Sequence, residues 1–335
     1  MYSPDSGHSA ILAGKPILAF DEFADFKSQQ KAIKSKLTEL LKISTESVPL
    51  SPEIEYKHTE SDFTEYRIRF RAERDVDAIC LLCIPNNKKG KLPLAICLQG
   101  HAPGMQVSLG RSYPGKPFPG GDRDFASQAL EKGFAALCLE QRGMGERATA
   151  LAENTPDFSC PKCYVTAMNA LLVGKTIIGE RCLDISRAID LALTFPEIDS
   201  ERIVCIGNSG GGTSTYYAAC LDERIKVAIA SCAVCTFKDS ICAMPHCVCN
   251  FIPGIAEYMD MGDMAAAIAP RRLIVVNGAK DDIFPESGVR QAFAVIKKVY
   301  TAAGVPENCA LVTGEEGHRF YKEKAWNQFD KMVSW

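Results

Sequence analysis

Ile203-Val204-Cys205-Ile206-Gly207-Asn208-Ser209-Gly210-Gly211-Gly212 is the stretch that decides the fold. Its apolar lead reads as a buried strand, and the run of small residues from 213 to 219 reads as a helix. A chain that turns from strand into helix at one tight corner forces the central residue into strained backbone angles. Glycine at 207 and 211 removes the side chains that would clash there. The corner lifts the Ser209 hydroxyl above the sheet. It also aims the Gly210 N–H at the same space, where the oxyanion of a tetrahedral intermediate would sit.

Serine is a poor nucleophile until a base takes its proton, so this reading demands a histidine and a carboxylate further along, each just after a strand. The chain has five histidines. His318 follows the apolar run 309–313 through the short turn Gly314-Glu315-Glu316-Gly317, where a base is needed. For the acid, the run 273–277 leads into Asp281 and Asp282; Asp281 is favoured, although either aspartate could cap the helix that begins near Pro285. A second oxyanion donor is expected in the loop after the run 94–98. There Gly100 permits close approach, and the backbone N–H of His101 is the candidate, its imidazole a further candidate for substrate contact. Arg142, Asn208 and His246 complete the candidate substrate-binding set with Gly100, although Arg142 reads first as holding its turn together with Glu146.

Working outward, short apolar runs at 78–84, 94–98, 134–139, 203–206, 227–231, 273–277 and 309–313 alternate with helical patterns at 124–132, 180–194 and 289–302. Near-continuous apolar strands separated by helices indicate a mostly parallel, doubly wound α/β sheet flanked by helices. An amphipathic helix is expected over 25–43, within an N-terminal helical extension (residues 1–55) that packs on a catalytic domain (residues 56–335). Three irregular stretches interrupt the pattern, at 103–121, 149–164 and 237–262, and read as a loop lid over the site. The first holds four prolines and five glycines in nineteen residues, which leaves no room for a regular element.

Thirty-eight Lys and Arg against 41 Asp and Glu give a net charge of −3, with no basic field to gather phosphates, so nucleic acid is not an expected partner. No stretch approaches the apolar length of a membrane helix, and the N-terminus shows no basic region leading into an apolar one. The chain has fifteen cysteines, an odd total in a chain too long to need staples. That favours a reducing, cytoplasmic setting. Of the three CxxC pairs, Cys80/Cys83 straddles the two faces of a strand, and Cys232/Cys235 follows a core strand. Cys160/Cys163 lies in an irregular loop, and Cys242, His246, Cys247 and Cys249 form another dense group. With no second CxxC at conventional finger spacing, buried thiols are expected and no metal; a structural zinc uniting the Cys160/Cys163 loop with the Cys242 to Cys249 group is the open alternative.

At these residues the chain resembles a known group, the bacterial α/β-hydrolases of the acetyl xylan esterase-like and dienelactone hydrolase-like kind. The likeness rests on Gly207-Asn208-Ser209-Gly210-Gly211, on the turn Glu140-Gln141-Arg142-Gly143-Met144-Gly145-Glu146, on Gly174 to Gly179 leading into Asp184 to Asp190, and on His246 to Gly254. It runs from about residue 55 to the C-terminus, and the order Ser209, Asp281, His318 is the one this fold uses. The resemblance implies the α/β-hydrolase fold and a serine carboxylesterase, often acting on acetylated sugars, without a cofactor. The esterases that deacetylate xylo-oligosaccharides usually carry glutamine after the serine and tyrosine in the oxyanion loop, where this chain has Gly210 and His101.

The expected function is hydrolysis of small acyl esters, acetyl above all and those of carbohydrates included, through a Ser209-His318-Asp281 triad and an acyl-enzyme. A lactone hydrolase or peptidase on the same triad, and a catalytically silent binding protein of the same fold, are the rival readings. The partner is a small-molecule ester; homo-oligomerisation stays open.

Overall fold

The computed structural model describes residues 3–87, 89–112, 117–148 and 163–335. Among them nine strands form one sheet: β1 (Glu53–Thr59), β2 (Phe63–Glu73), β3 (Val76–Pro85), β4 (Leu92–Leu98), β5 (Ala135–Leu139), β6 (Ile198–Asn208), β7 (Val227–Ser231), β8 (Arg272–Gly278) and β9 (Cys309–Gly314). Their spatial order is β1-β2-β3-β5-β4-β6-β7-β8-β9. The six strands from β5 to β9 in that order pair in parallel, and β1, β2 and β3 join as an antiparallel edge.

Side chains alternate between two hydrophobic layers, as the pleat requires. Leu94, Ile96 and Leu98 of β4 enter one layer, Ala95 and Cys97 the other. Cys80 and Cys83 likewise lie in opposite layers. The helices Phe26–Leu41, Ile177–Ala192, Gly210–Leu221 and Glu286–Ala302 cover the first face, while Phe125–Glu131 and Lys322–Met332 cover the second. The helix Phe26–Leu41 starts where the Asp25 carboxylate accepts from the Ser28 N–H at 2.8 Å. Its Ile33, Leu37 and Leu41 are buried in the same layer as the sheet. Gln30 donates to the carbonyls of Ala266 and Ala269, at 2.8 and 2.6 Å, and so ties this N-terminal helix to the chain before β8.

β1 and β2 are absent from the sequence reading. β1 is exposed along its length, and its charged residues pair with β2: Arg67 with Glu55 at 2.7 Å, and Arg69 with Glu53. A short, charged edge strand resists pairing with another chain. It also lacks the apolar run by which a strand is usually recognised.

The turn after β5 anchors the loops beneath the site. Glu140, 1% exposed, accepts through one oxygen from the N–H groups of Met105 (3.2 Å) and Glu146 (3.4 Å), while its other oxygen is buried without a hydrogen-bond partner. Burial raises its carboxyl from 4.5 to about 7, despite those two N–H donors. A carboxyl whose folded value is raised binds its proton more tightly in the native state. Its contribution to stability is therefore full below pH 4.5 and is lost as the pH rises through about 7. Glu140→Gln, neutral at every pH, should flatten that part of the stability profile. Urea unfolding of the wild type should lose roughly 1–3 kcal/mol between pH 5 and pH 8 that the variant does not lose, and equal slopes would contradict the assignment.

Candidate active site

The corner between β6 and the helix Gly210–Leu221 holds Ser209 at φ 59° and ψ −125°, a left-handed region that L-residues rarely occupy. Its N–H donates to the Ser231 carbonyl at 2.8 Å, and its own carbonyl accepts from the Thr213 N–H at 2.8 Å. The neighbouring glycines are required by close approach. A Cβ on Gly207 would collide with the Gly211 backbone, and one on Gly211 with the Leu98 carbonyl. A Cβ on Gly100 would lie 2.9 Å from Ser209 Cβ, 3.0 Å from the Asn208 carbonyl and 3.4 Å from Gly210 N. The loop after β4 therefore lies directly against the corner and brings the Gly100-His101 backbone beside the Gly210 N–H.

His318 stands after β9, and its Nδ1 lies 2.9 Å from Asp281 Oδ2. The other oxygen of Asp281 accepts from the N–H groups of Ile283 (2.9 Å) and Phe284 (3.1 Å). Burial opposes ionisation of this carboxyl, but the contact with His318 and the Phe284 N–H together hold it below the usual carboxylate range. An ionised Asp281 accepts from Nδ1–H, which leaves Nε2 as the basic nitrogen of the ring. Asp282 points to solvent. Phe284 stacks on the His318 ring at 6.0 Å and meets the His246 ring edge-on at 5.5 Å. His246 accepts on Nδ1 from Asn250 Nδ2 at 3.0 Å, and the Asn250 carbonyl oxygen accepts in turn from Thr213, on the helix that begins at the corner. Among the described residues His246 Nε2 is buried without a hydrogen-bond partner, and burial lowers the affinity of the ring for a second proton.

Three sequence expectations need correction. Arg142 does not face a substrate. Its guanidinium binds Asp184 twice at 2.9 Å, with Glu73 at 3.0 Å and Glu180 at 3.1 Å, all within a buried cluster that also holds Arg147 and Lys175. Asn208 is 1% exposed, and its side-chain oxygen accepts from Ser231 Oγ at 2.8 Å beneath the corner, so it braces the Ser209 turn instead of reaching outward. The His101 ring directs its Nε2 toward sulfur, while its Cε1 and Nδ1 edge lies beside Gly210. Its Nε2 lies 2.9 Å from Cys163, 3.1 Å from Cys247 and 3.7 Å from Cys249. The expectation of scattered packing thiols thus gives way, at these three cysteines, to a histidine and cysteine group of metal-binding composition. Cys160 and most of the stretch 149–164 lie outside the described residues.

Sequence reasoning missed Phe284, Asn250 and Thr213, whose roles depend on contacts made across the fold. The dense run from His246 to Asn250 was the one visible signal of them.

The chain matches the Abhydrolase family over residues 8–334. It belongs to that family. The YtaP protein of Bacillus subtilis (strain 168), assigned as a hydrolase, is 26% identical over 238 residues, which cover 69% of this chain and 75% of that protein. A Bacteroides fragilis NCTC 9343 protein, assigned as an acetyl xylan esterase, superimposes with a TM-score of 0.78 at 17% identity, covering 93% of this chain and 82% of that one. A glucuronoyl esterase from Solibacter usitatus gives 0.65 at 15% identity, over 95% and 96% of the two chains. Acetyl xylan esterase 1 from Thermoanaerobacterium sp. JW/SL YS485 gives 0.61 at 15%, over 97% and 98%. These likenesses establish the α/β-hydrolase fold for this Abhydrolase chain. Among its described residues no helix is long and apolar enough to cross a membrane.

The role of Arg142 can be read directly. Removing one partner from a buried ion cluster leaves uncompensated charge, so Arg142→Gln in this Abhydrolase chain should cost about 3–5 kcal/mol of stability in denaturant unfolding. An unchanged unfolding midpoint would show that the cluster is not what holds the turn.

Proposed function

We propose that the chain is a serine esterase. The observation that carries this reading is the His318–Asp281 pair at 2.9 Å, placed by neighbouring strands at the same sheet end as a serine in a strained corner. Ser209 Oγ attacks the ester carbonyl while His318 Nε2 takes its proton. Asp281 holds the ring by Nδ1 and stabilises the imidazolium that forms. The carbonyl oxygen becomes an oxyanion between the N–H groups of Gly210 and His101, which supply fixed dipoles where charge develops. His318 then returns the proton to the departing alkoxide, the alcohol leaves, and water repeats the sequence on the acyl-enzyme.

Small acyl groups, acetyl above all, are favoured by the assignments of the structurally similar acetyl xylan esterases. The assignments of the structurally similar proteins favour esters of carbohydrates. His246 Nε2, buried near His318 and without a protein partner, offers one polar contact for the alcohol portion of such a substrate.

Ser209→Ala should lower kcat/KM for p-nitrophenyl acetate by a factor of at least about 10³ with the fold intact, and turnover close to wild type would overturn the reading. Asp281→Asn should cost a factor of similar order, about 10³–10⁴, whereas Asp282→Asn should stay within about twofold. A panel of acetyl esters, lactones and aminoacyl amides should show acetyl esters preferred. Preference for a lactone or an amide would move the assignment to another substrate class.

A further inference from the structure

Beside the residues that perform this chemistry, and sharing His101 with them, three segments distant in sequence meet at one point. His101 follows β4, Cys163 opens the helix Cys163–Leu172, and Cys247 and Cys249 flank a short turn before Asn250. The four ligand atoms all lie within 4.8 Å of one another. His101 Nε2 is 2.9, 3.1 and 3.7 Å from the sulfurs of Cys163, Cys247 and Cys249, and the Cys163 and Cys247 sulfurs are 3.0 Å apart. Zn–S bonds of about 2.3 Å and Zn–N bonds of about 2.0–2.1 Å in a tetrahedron put the ligand atoms roughly 3.5–3.8 Å apart, so the group needs only slight expansion to enclose an ion. A disulfide, with sulfurs about 2.05 Å apart, would use two of the thiols and leave the third sulfur and the imidazole without a role.

A second observation points to the same ligand. Arg181 is 1% exposed, yet among the described residues it pairs with no carboxylate. Its Nε and one amino group donate to the Arg142 carbonyl, at 3.1 and 2.8 Å, and the other amino group is buried without a partner. A buried guanidinium needs an anion. Cys249, with which Arg181 interacts electrostatically, belongs to a group of three sulfurs that supplies an anion only as thiolates, and three thiolates require a cation among them.

We propose that His101, Cys163, Cys247 and Cys249 bind one zinc ion in a closed tetrahedral site. The three thiols release their protons to solvent on binding. Zinc and three thiolates carry one net negative charge, which Arg181 balances. Asn250 Nδ2, 3.7 Å from Cys249 Sγ, adds a hydrogen bond to the thiolate from outside the ligand set. With four protein ligands no position remains for water or substrate, so the ion has a structural role. It clamps the loop that carries the His101 N–H to the segment that carries His246, on one side of Ser209. Thiolate ligands select zinc over calcium, magnesium or manganese, which prefer oxygen.

The test needs no substrate, so its outcome is separable from that of the esterase assignment. The full chain, purified under reducing conditions, is stripped with a chelator, reconstituted with zinc and analysed for bound metal by mass spectrometry. Parallel samples are titrated with cobalt(II). The wild type should hold about one zinc per chain, and its cobalt form should show thiolate-to-metal charge transfer with the intense visible bands of a tetrahedral ion. Cys163→Ser, Cys247→Ser and Cys249→Ser should each lose most of the metal. Cys242→Ser, at an exposed cysteine in the same segment but outside the group, should keep it. A wild type that takes up neither ion, or one whose cobalt spectrum lacks thiolate charge transfer, would overturn the site whether or not the serine variants fold. A Cys163–Cys247 disulfide in the reconstituted protein, or full zinc in all three serine variants, would do the same.

Discussion

The backbone of Ser209 at φ 59° is the constraint on which the rest of the site depends. A non-glycine residue in such a region costs of order 1–3 kcal/mol and persists only where its surroundings over-determine it. Here they do. Gly207 and Gly211 allow the strand end and the helix start to touch, Leu98 lies under Gly211, Gly100 presses on Ser209 itself, and Ser231 holds its N–H. Three neighbouring parallel strands, β4, β6 and β7, therefore converge on one corner, and its geometry is set by sheet packing instead of by a mobile loop.

The elements around that corner are held by polar contacts that use up their side chains. Arg142, Asp184, Glu73, Glu180, Arg147 and Lys175 form one buried charged cluster beneath the turn after β5. Asn250 links His246 to Thr213 on the nucleophile helix. His101 gives its backbone to the space beside Gly210 and its ring to three sulfurs. One residue thus serves two neighbouring structures, and whatever fixes the ring also fixes the N–H beside Gly210.

Much of this was legible in the sequence, for identifiable reasons. The central strands are uninterrupted apolar runs, the strand–glycine–serine–glycine–helix corner has few other structural uses, and the histidine and aspartate had to follow later strands. The antiparallel edge was not legible. Tyr66, Ile68, Phe70 and Ala72 alternate with Glu65, Arg67, Arg69 and Arg71, a period of two that is easy to miss when half the residues are charged. The cysteine group was legible only in part: Cys163 and the Cys247/Cys249 pair stood out as clusters, but nothing local ties them to each other or to His101, and only the fold brings the four together. Arg142 admits two readings, holding its turn or facing a substrate, because a charged side chain in a glycine-rich turn gives no sign, in sequence, of the carboxylates on a helix forty residues away.

The claim at the centre is that Ser209 is the nucleophile. Its most direct measurement is labelling of the native chain with a fluorophosphonate, followed by intact-mass and peptide analysis. One adduct per chain, on Ser209, with ester hydrolysis lost in proportion to labelling, is the predicted result. A chain that hydrolyses esters but stays unlabelled, or one labelled at another residue, would contradict it.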